Sequence, residues 1–146
     1  MQLRGAQPDD ASVLAEVVRA AYAPFRDAGL DLPPVDEGLD RAIAETPVWV
    51  VVDADGACIG GIVLRMMDDA VKIENLAVHL RASGAGIGRQ LLQKAESVAR
   101  AQGARLMMLA THADMTSTIG FYRRNGWIET GREGTRLFME KPVSAV

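Results

Sequence analysis

Two hydrophobic periods alternate along the chain. Gln2 to Ala6 reads as a short strand, and Pro8-Asp9-Asp10 is a helix-start signal with an aspartate placed to cap exposed amides. Val13, Leu14, Val17, Val18 and Ala21 then recur at helical spacing and form one apolar face, which Pro24 is predicted to end. The stretch from Ala23 to Asp40 is irregular, with Gly29, Pro33-Pro34 and Gly38, and a second short helix is predicted from about Glu37 to Glu45. Val48 to Asp53, Cys58 to Met67 and Val71 to Val78 read as three strands joined by turns at Asp55-Gly56 and Asp68-Asp69, an antiparallel meander. In the third, Val71 and Ile73 alternate with Lys72 and Glu74, so one face is apolar and the other charged. Three glycines between Ser83 and Gly88 break the pattern. A helix follows with Leu91, Leu92, Ala95, Val98 and Ala99 on one face, and Gly103 stops it. Arg105 to Ala110 is a further strand, Met115 to Arg124 a short helix, and two strands run from Gly126 to about Lys141. No internal repeat, linker or low-complexity segment interrupts this order. The class is α/β (mixed α+β), one domain over residues 1–146 with a mixed sheet.

Composition narrows the setting. With 146 residues, 49% hydrophobic and 24% charged, the chain has enough apolar material for one self-supporting core. Cys58 is the single cysteine, which excludes an internal disulfide. Sixteen basic against nineteen acidic residues give a net charge of −3, the wrong balance for a nucleic-acid partner. The longest stiff apolar run, Val48 to Val52, is strand-sized, far from the roughly 18 residues of a membrane span. The polar start of the chain carries no signal-peptide pattern, so a cytoplasmic protein with no membrane partner is expected.

The strongest chemical signal is the junction Val78-His79-Leu80-Arg81-Ala82-Ser83-Gly84-Ala85-Gly86-Ile87-Gly88-Arg89, where a strand runs into a glycine-rich turn that opens a helix. Such a turn lets backbone N–H groups converge on an anion, and the helix dipole adds positive potential at the same place. Alone it indicates a phosphate-containing ligand or a flexible helix-start loop. The dinucleotide fingerprint fails because Arg89 stands where its third glycine belongs, and no Gly-Lys-Ser/Thr follows to make a P-loop.

At these residues the chain resembles the GNAT acyltransferase superfamily. The family's phosphate turn reads Arg/Gln-x-x-Gly-x-Gly/Ala, and counting from Val78 places Ser83, Gly84, Ala85, Gly86, Ile87 and Gly88 on it. Phe121-Tyr122-Arg123-Arg124-Asn125-Gly126-Trp127 resembles the second landmark, aromatic-Tyr-x-x-x-Gly-aromatic, one strand later. Ala20 to Phe25 and Glu74 to Val78 resemble a bacterial subgroup of unassigned substrate. Ser83 replaces the preferred Arg or Gln, Leu80 a usual proline, and Met115 a common asparagine that touches the pantetheine arm; Arg81-x-x-Gly84-x-Gly86 is an alternative register. Arg81 or Arg89 could supply the missing charge.

The resemblance implies a mostly antiparallel twisted sheet flanked by helices, splayed between the strand ending at Val78 and the one starting at Arg105. Leu76, Ala77 and Val78 would offer backbone groups to the pantetheine arm, and Ser83 to Arg89 would hold the pyrophosphate of acetyl-CoA, with no metal. Tyr122 would protonate the leaving thiolate, against a plain reading as a core aromatic beside Phe121. Glu74 would take a proton from the attacking amine, against a surface carboxylate paired with Lys72 or Arg65. His79 and His112 lack metal-ligand spacing, Cys58 reads as a buried hydrophobe, Met107 and Met108 as core filling, and Arg123-Arg124 as a solvated helix face. The implied activity is transfer of an acetyl group to a primary amine by direct attack in a ternary complex, the rival being a non-catalytic CoA-binding sensor. The resemblance implies that the segment between the first two helices walls the acceptor side, where Asp27, Asp31, Asp36, Glu37 and Asp40 either mark a cationic acceptor, a small molecule or a basic side chain, or simply solvate an irregular surface loop. A homodimer is compatible with the sequence.

Overall fold

The structure is a computed structural model and describes residues 1–144. The expected domain extends over 1–146, of which Ala145 and Val146 lie outside the described residues. Seven strands form one sheet: β1 (Gln2–Gly5), β2 (Val48–Val52), β3 (Cys58–Met66), β4 (Ala70–Val78), β5 (Leu106–His112), β6 (Ile128–Glu133) and β7 (Arg136–Pro142). Their spatial order is β1-β2-β3-β4-β5-β7-β6. Only β4 and β5 run parallel, because α3 (Ile87–Ala101) crosses between them; the other neighbours are antiparallel.

The helices divide between the faces. On one face α1 (Ala11–Asp27) and α2 (Leu39–Glu45) bury Leu14, Val17, Val18 and Leu39 against Val48, Val50, Val63 and Ala77. On the other, α3 and α4 (Thr116–Arg124) bury Leu91, Leu92, Ala95, Ile119 and Tyr122 against Val71, Ile73, Met107, Leu109, Leu137 and Met139. Ile73 and Ala77 therefore face opposite layers although both are odd-numbered positions of β4. A bulge explains the switch: Val63 pairs with Asn75 and Leu64 with Ile73, so Glu74 has no opposite residue on β3. Past it, Leu76 and Val78 turn to the α3 side and Asn75 and Ala77 to the α1 side.

The sheet also splays as the family resemblance implies. β4 and β5 pair from Ala70/Leu106 to Ile73/Leu109 and no further, whereas β5 stays paired with β7 up to His112/Arg136. The divergence begins at the bulged residue.

Two local expectations need correction. Pro24 does not end α1, which continues to Asp27. Proline keeps helical φ and forfeits a single N–H bond, and its own carbonyl still accepts from Ala28 N–H at 3.1 Å. Asp10 does not cap α1 either. Its carboxylate accepts from the Gln7 backbone N–H at 2.7 Å and from both Arg4 guanidinium nitrogens at 2.7 and 3.0 Å, tying β1 to the start of the helix. The Arg4 hydrogen bonds hold the Asp10 carboxyl below its usual range.

The seating of α1 depends on Gly61, where a Cβ would stand 2.5 Å from Leu14 Cδ1 and 3.2 Å from the Trp49 carbonyl oxygen. Leu14 is fully buried and cannot swing away. Gly61→Ala is expected to destabilise the domain by about 1–3 kcal/mol, as overpacked cores do. Thermal unfolding checks this, at roughly 2–4 °C of Tm per kcal/mol for a domain of this size.

Candidate active site

Where β4 and β5 part, two cavities open. The larger, about 530 Å³, lies between the end of β4, the glycine-rich turn, the start of α3, and α4. The second, about 420 Å³, lies on the α1 side, between the α1–α2 segment, β4, β5 and the start of β7. Tyr22 of α1 and Met115, at the N-terminus of α4, line both, so the two cavities meet at those side chains.

The backbone of β4 is half used. His79 N–H donates to the Ile59 carbonyl at 2.8 Å, which continues the β3–β4 ladder and makes Ala77/Gly61 a hydrogen-bonded pair. By alternation Leu76 and Val78 direct their N–H and C=O away from β3, toward the gap that β5 has left. Ala77 lines the cavity but spends its backbone groups on Gly61, so of the three strand residues expected to serve a ligand, Leu76 and Val78 are the ones free to do so.

The turn supplies donors. After a short 3₁₀ turn at Leu80–Ala82, Gly84 and Gly86 adopt left-handed φ of +84° and +79°. The first helical bond of α3 is Gln90 N–H to Gly86 C=O, and no side chain caps this end. The N–H groups of Ile87, Gly88 and Arg89 are therefore unpaired at the positive end of a 15-residue helix. Ser83, Gly84, Gly86, Ile87, Gly88 and Arg89 line the cavity, whereas Arg81 does not, which favours the register that starts at Ser83. Ala85 lies outside that lining, and its amide donates back to Ala82 at 3.4 Å. The Ile87 side chain belongs to the core, so only its backbone is offered. Arg124, expected on a solvated face, borders the same cavity as Arg89 and adds a second cation. The two sequence landmarks touch: a Cβ on Gly88 would stand 2.9 Å from Phe121 Cζ, so glycine lets α3 and α4 close together.

Tyr122 lines the larger cavity with its ring 6% exposed, edge-on to Phe121 at 5.4 Å and to Trp127 at 5.6 Å. Burial pushes its phenol well above the ordinary tyrosine range, so it keeps its proton. Tyr22 is raised for the same reason, with Arg26 opposing. Glu74, the bulged residue, lines the second cavity and is at the same time ion-paired. Arg65 Nε lies 3.1 Å from one oxygen and Lys72 Nζ 3.8 Å from the other. Glu74 thus reaches the cavity wall while making the ion pairs with Lys72 and Arg65 that the plainer sequence reading gave it. Asn75 beside it donates to the Val35 carbonyl at 2.8 Å, pinning the α1–α2 segment to β4.

The α1–α2 segment walls the second cavity, but its acids do not line it as expected. Asp31 alone of its five acids reaches the second cavity. Asp36 is held by Arg19 at 3.3 Å, and Lys72 and Arg136 stand in the cavity wall alongside Asp31, so no field of one sign forms. Tyr22, Lys72, His112 and Arg136 were not singled out for the site from sequence. Tyr22 sits in the Ala20–Phe25 stretch that carried part of the resemblance, but nothing in its spacing marks its position. Cys58 is buried and its thiol is pushed up by burial, which suits the packing role expected of it. Among the described residues no cluster of three or more His, Cys, Asp or Glu could hold a metal ion, and no helix is long and apolar enough to cross a membrane.

The sequence profile described as "Acetyltransferase (GNAT) family" matches residues 14–127, and the chain belongs to that family. Over 78 residues it is 35% identical to a protein of Azospirillum brasilense named IAA acetyltransferase, covering 49% of this chain and 51% of that one. The chain thus spans about half the length of this curated relative. Among solved structures, the PaiA N-acetyltransferase from Thermoplasma acidophilum in complex with coenzyme A superposes with a TM-score of 0.88 at 21% identity, over 97% of this chain and 98% of that one. A GNAT-family acetyltransferase from Staphylococcus aureus Mu50 gives 0.82 at 17% identity, over 98% and 99%. These likenesses establish the fold.

Gly86 provides the test of the turn. Any side chain there must adopt φ +79° and a carboxylate would face the unpaired amides. Gly86→Glu is expected to raise the Kd for CoA at least a hundredfold, measured by calorimetry, while the cooperative unfolding transition survives. Unchanged affinity would mean that the phosphates bind elsewhere.

Proposed function

We propose that the protein is an acetyl-CoA-dependent N-acetyltransferase that moves an acetyl group to a primary amine by direct attack in a ternary complex. The observation that carries this reading is the convergence on one cleft of two sets of unpaired backbone groups, the α3 amides and the β4 edge at Leu76 and Val78. The former suit a pyrophosphate and the latter an extended amide-bearing arm such as pantetheine. A thioester threaded along that edge ends near Tyr22 and Met115, where the acceptor cavity begins.

The chemistry follows from the residues at that junction. An alkylammonium, with an ordinary pKa near 10.4, must lose a proton before it attacks, and the Glu74 carboxylate accepts it directly or through water. The free amine adds to the thioester carbonyl, whose developing oxyanion is stabilised by strand N–H groups left unpaired at the splay. Collapse breaks the C–S bond and the amide nitrogen gives up its remaining extra proton to solvent. The departing thiolate takes a proton from the Tyr122 hydroxyl, and solvent then restores it. The burial that keeps Tyr122 protonated makes the phenol a weaker acid, and the same desolvation raises the proton affinity of the thiolate, which offsets that loss.

Binding and turnover test different steps. Acetyl-CoA or CoA at about a hundred times Kd should stabilise the fold by roughly 2.7 kcal/mol, visible as a rise in Tm, while ATP and NAD should not. Free thiol should appear when acetyl-CoA and a panel of primary amines are supplied. Tyr122→Phe is expected to lower kcat about 10²–10⁴-fold with the CoA Kd little changed. CoA binding without thiol release from any amine would favour a sensor, and stabilisation by ATP in place of CoA would remove the reading altogether.

A further inference from the structure

The acceptor cavity carries two charges that nothing in the protein neutralises. Four formally charged residues line it: Asp31 after α1, Lys72 and Glu74 on β4, and Arg136 on β7. Lys72 and Glu74 compensate each other at 3.8 Å, with Arg65 on the second carboxylate oxygen. The side chains of Asp31 and Arg136, both exposed, have no ion-pair or hydrogen-bond partner among the described residues. They are of opposite sign and stand on opposite walls, one on the α1–α2 segment and one on the sheet beyond β5.

Arg136 is exposed, yet its side chain has one orienting contact. Its guanidinium carbon sits 5.1 Å from the centroid of the Phe138 ring, which orients the planar fork. In the ladder it lies opposite His112, whose Nδ1 accepts from Asp114 N–H at 3.0 Å. That bond makes Nδ1 the acceptor, so a neutral His112 carries its proton on Nε2 and remains a donor. The Arg136 end of the cavity thus offers an oriented guanidinium next to an imidazole donor, the chemistry that recognises a carboxylate.

We propose that the acceptor is an amino acid-like zwitterion, an amine that carries a carboxylate, with the carboxylate held at Arg136. This deepens the acetyltransfer reading and rests on it. The amine end lies toward Glu74, Tyr22 and Met115, where the thioester would arrive, and Asp31 draws the ammonium into the cleft. A diamine would place its second ammonium against Arg136 and Lys72. A monoamine with no other charge would leave Arg136 unmatched. β5, splayed from β4 beyond Ile73, lies between the strand of Glu74 and that of Arg136, so the distance between the amine and the carboxylate is a readable variable.

The experiment uses ω-amino acids from β-alanine to 6-aminohexanoate, their primary amides and diamines of matched length. Thiol release from acetyl-CoA is followed, and equilibrium binding of the same compounds to the CoA-loaded protein is measured by calorimetry. At least one amino acid should exceed its amide and its diamine about tenfold or more in kcat/KM. Arg136→Gln should reduce the amino acid-to-amide ratio of kcat/KM about 10–100-fold, and Arg136→Lys should restore part of it. A role in folding alone would lower both substrates together and leave the ratio where it was, which would overturn the proposal. So would preference for diamines or amides in the unmodified protein, and that outcome, with thiol released, leaves the acetyltransfer reading standing. Amino acid binding that Arg136→Gln abolishes, without thiol release, would support the carboxylate site and overturn acetyltransfer.

Discussion

A strand that loses its neighbour must satisfy its backbone groups in some other way, and everything at this site depends on β4 losing β5 after Ile73. N–H and C=O groups withheld from water and from a ladder cost free energy comparable to a lost hydrogen bond each. Here they are left open to a cleft, because the bulge at Glu74 bends β4 away while β5 remains anchored to β7 as far as His112. The same extra residue swaps the faces of β4. It sends Leu76 and Val78 toward α3 and the ligand cavity, and Asn75 toward the α1–α2 segment, which its amide holds down at Val35. One inserted position therefore opens the gap, supplies the edge and secures the wall of the acceptor side.

The second requirement is that the anion-binding end be rigid. The unpaired amides belong to α3, whose Ile87, Leu91, Ala95 and Ala99 are buried without exception, so the donors are fixed before any ligand arrives. Gly88 against the Phe121 ring couples that helix to α4, and Tyr122 is the next residue along. Tyr122 and the glycine-rich turn, the proposed proton donor and phosphate cradle, are thus linked through one contact. The acceptor side is built differently, from an irregular segment tied down at a few points, and its two unmatched charges sit on that segment and on the start of β7.

Most of the fold could be read from periodicity. Apolar spacing located α1 and α3, the breaks around them left room for the two shorter helices, and turn residues located the β2–β3 and β3–β4 hairpins. What could not be read was the bulge. Val71, Ile73 and Ala77 are apolar at odd-numbered positions on both sides of the change of face, with only Asn75 interrupting them, and since both faces of β4 are covered by helices, that interruption does not by itself mark a bulge. Pro24 misled because a proline in a last turn costs only one bond. For the site, the glycine turn and Tyr122 were legible because backbone conformation and ring packing demand particular residue types. Arg136 and Lys72 were not, since a basic residue on a strand is ordinary until β7 and β4 are placed around the same cavity. The acids between the helices drew attention by their number, yet pairing such as Arg19 with Asp36 shows that what counts is which of them reach the cleft.

The central claim is that the cleft binds its ligand through backbone groups that the splay leaves unpaired, and residue-resolved amide hydrogen exchange tests it most directly. In the free protein Ala77 should already be protected by Gly61, while Leu76, Val78 and the amides from Gly86 to Arg89 exchange faster. Saturating CoA should slow exchange at Leu76 or Val78 and across the α3 amides, and leave Ala77 as it was. Slowing confined to other parts of the sheet, with the Gly86 to Arg89 amides and the free β4 edge unaffected at full CoA occupancy, would contradict the account.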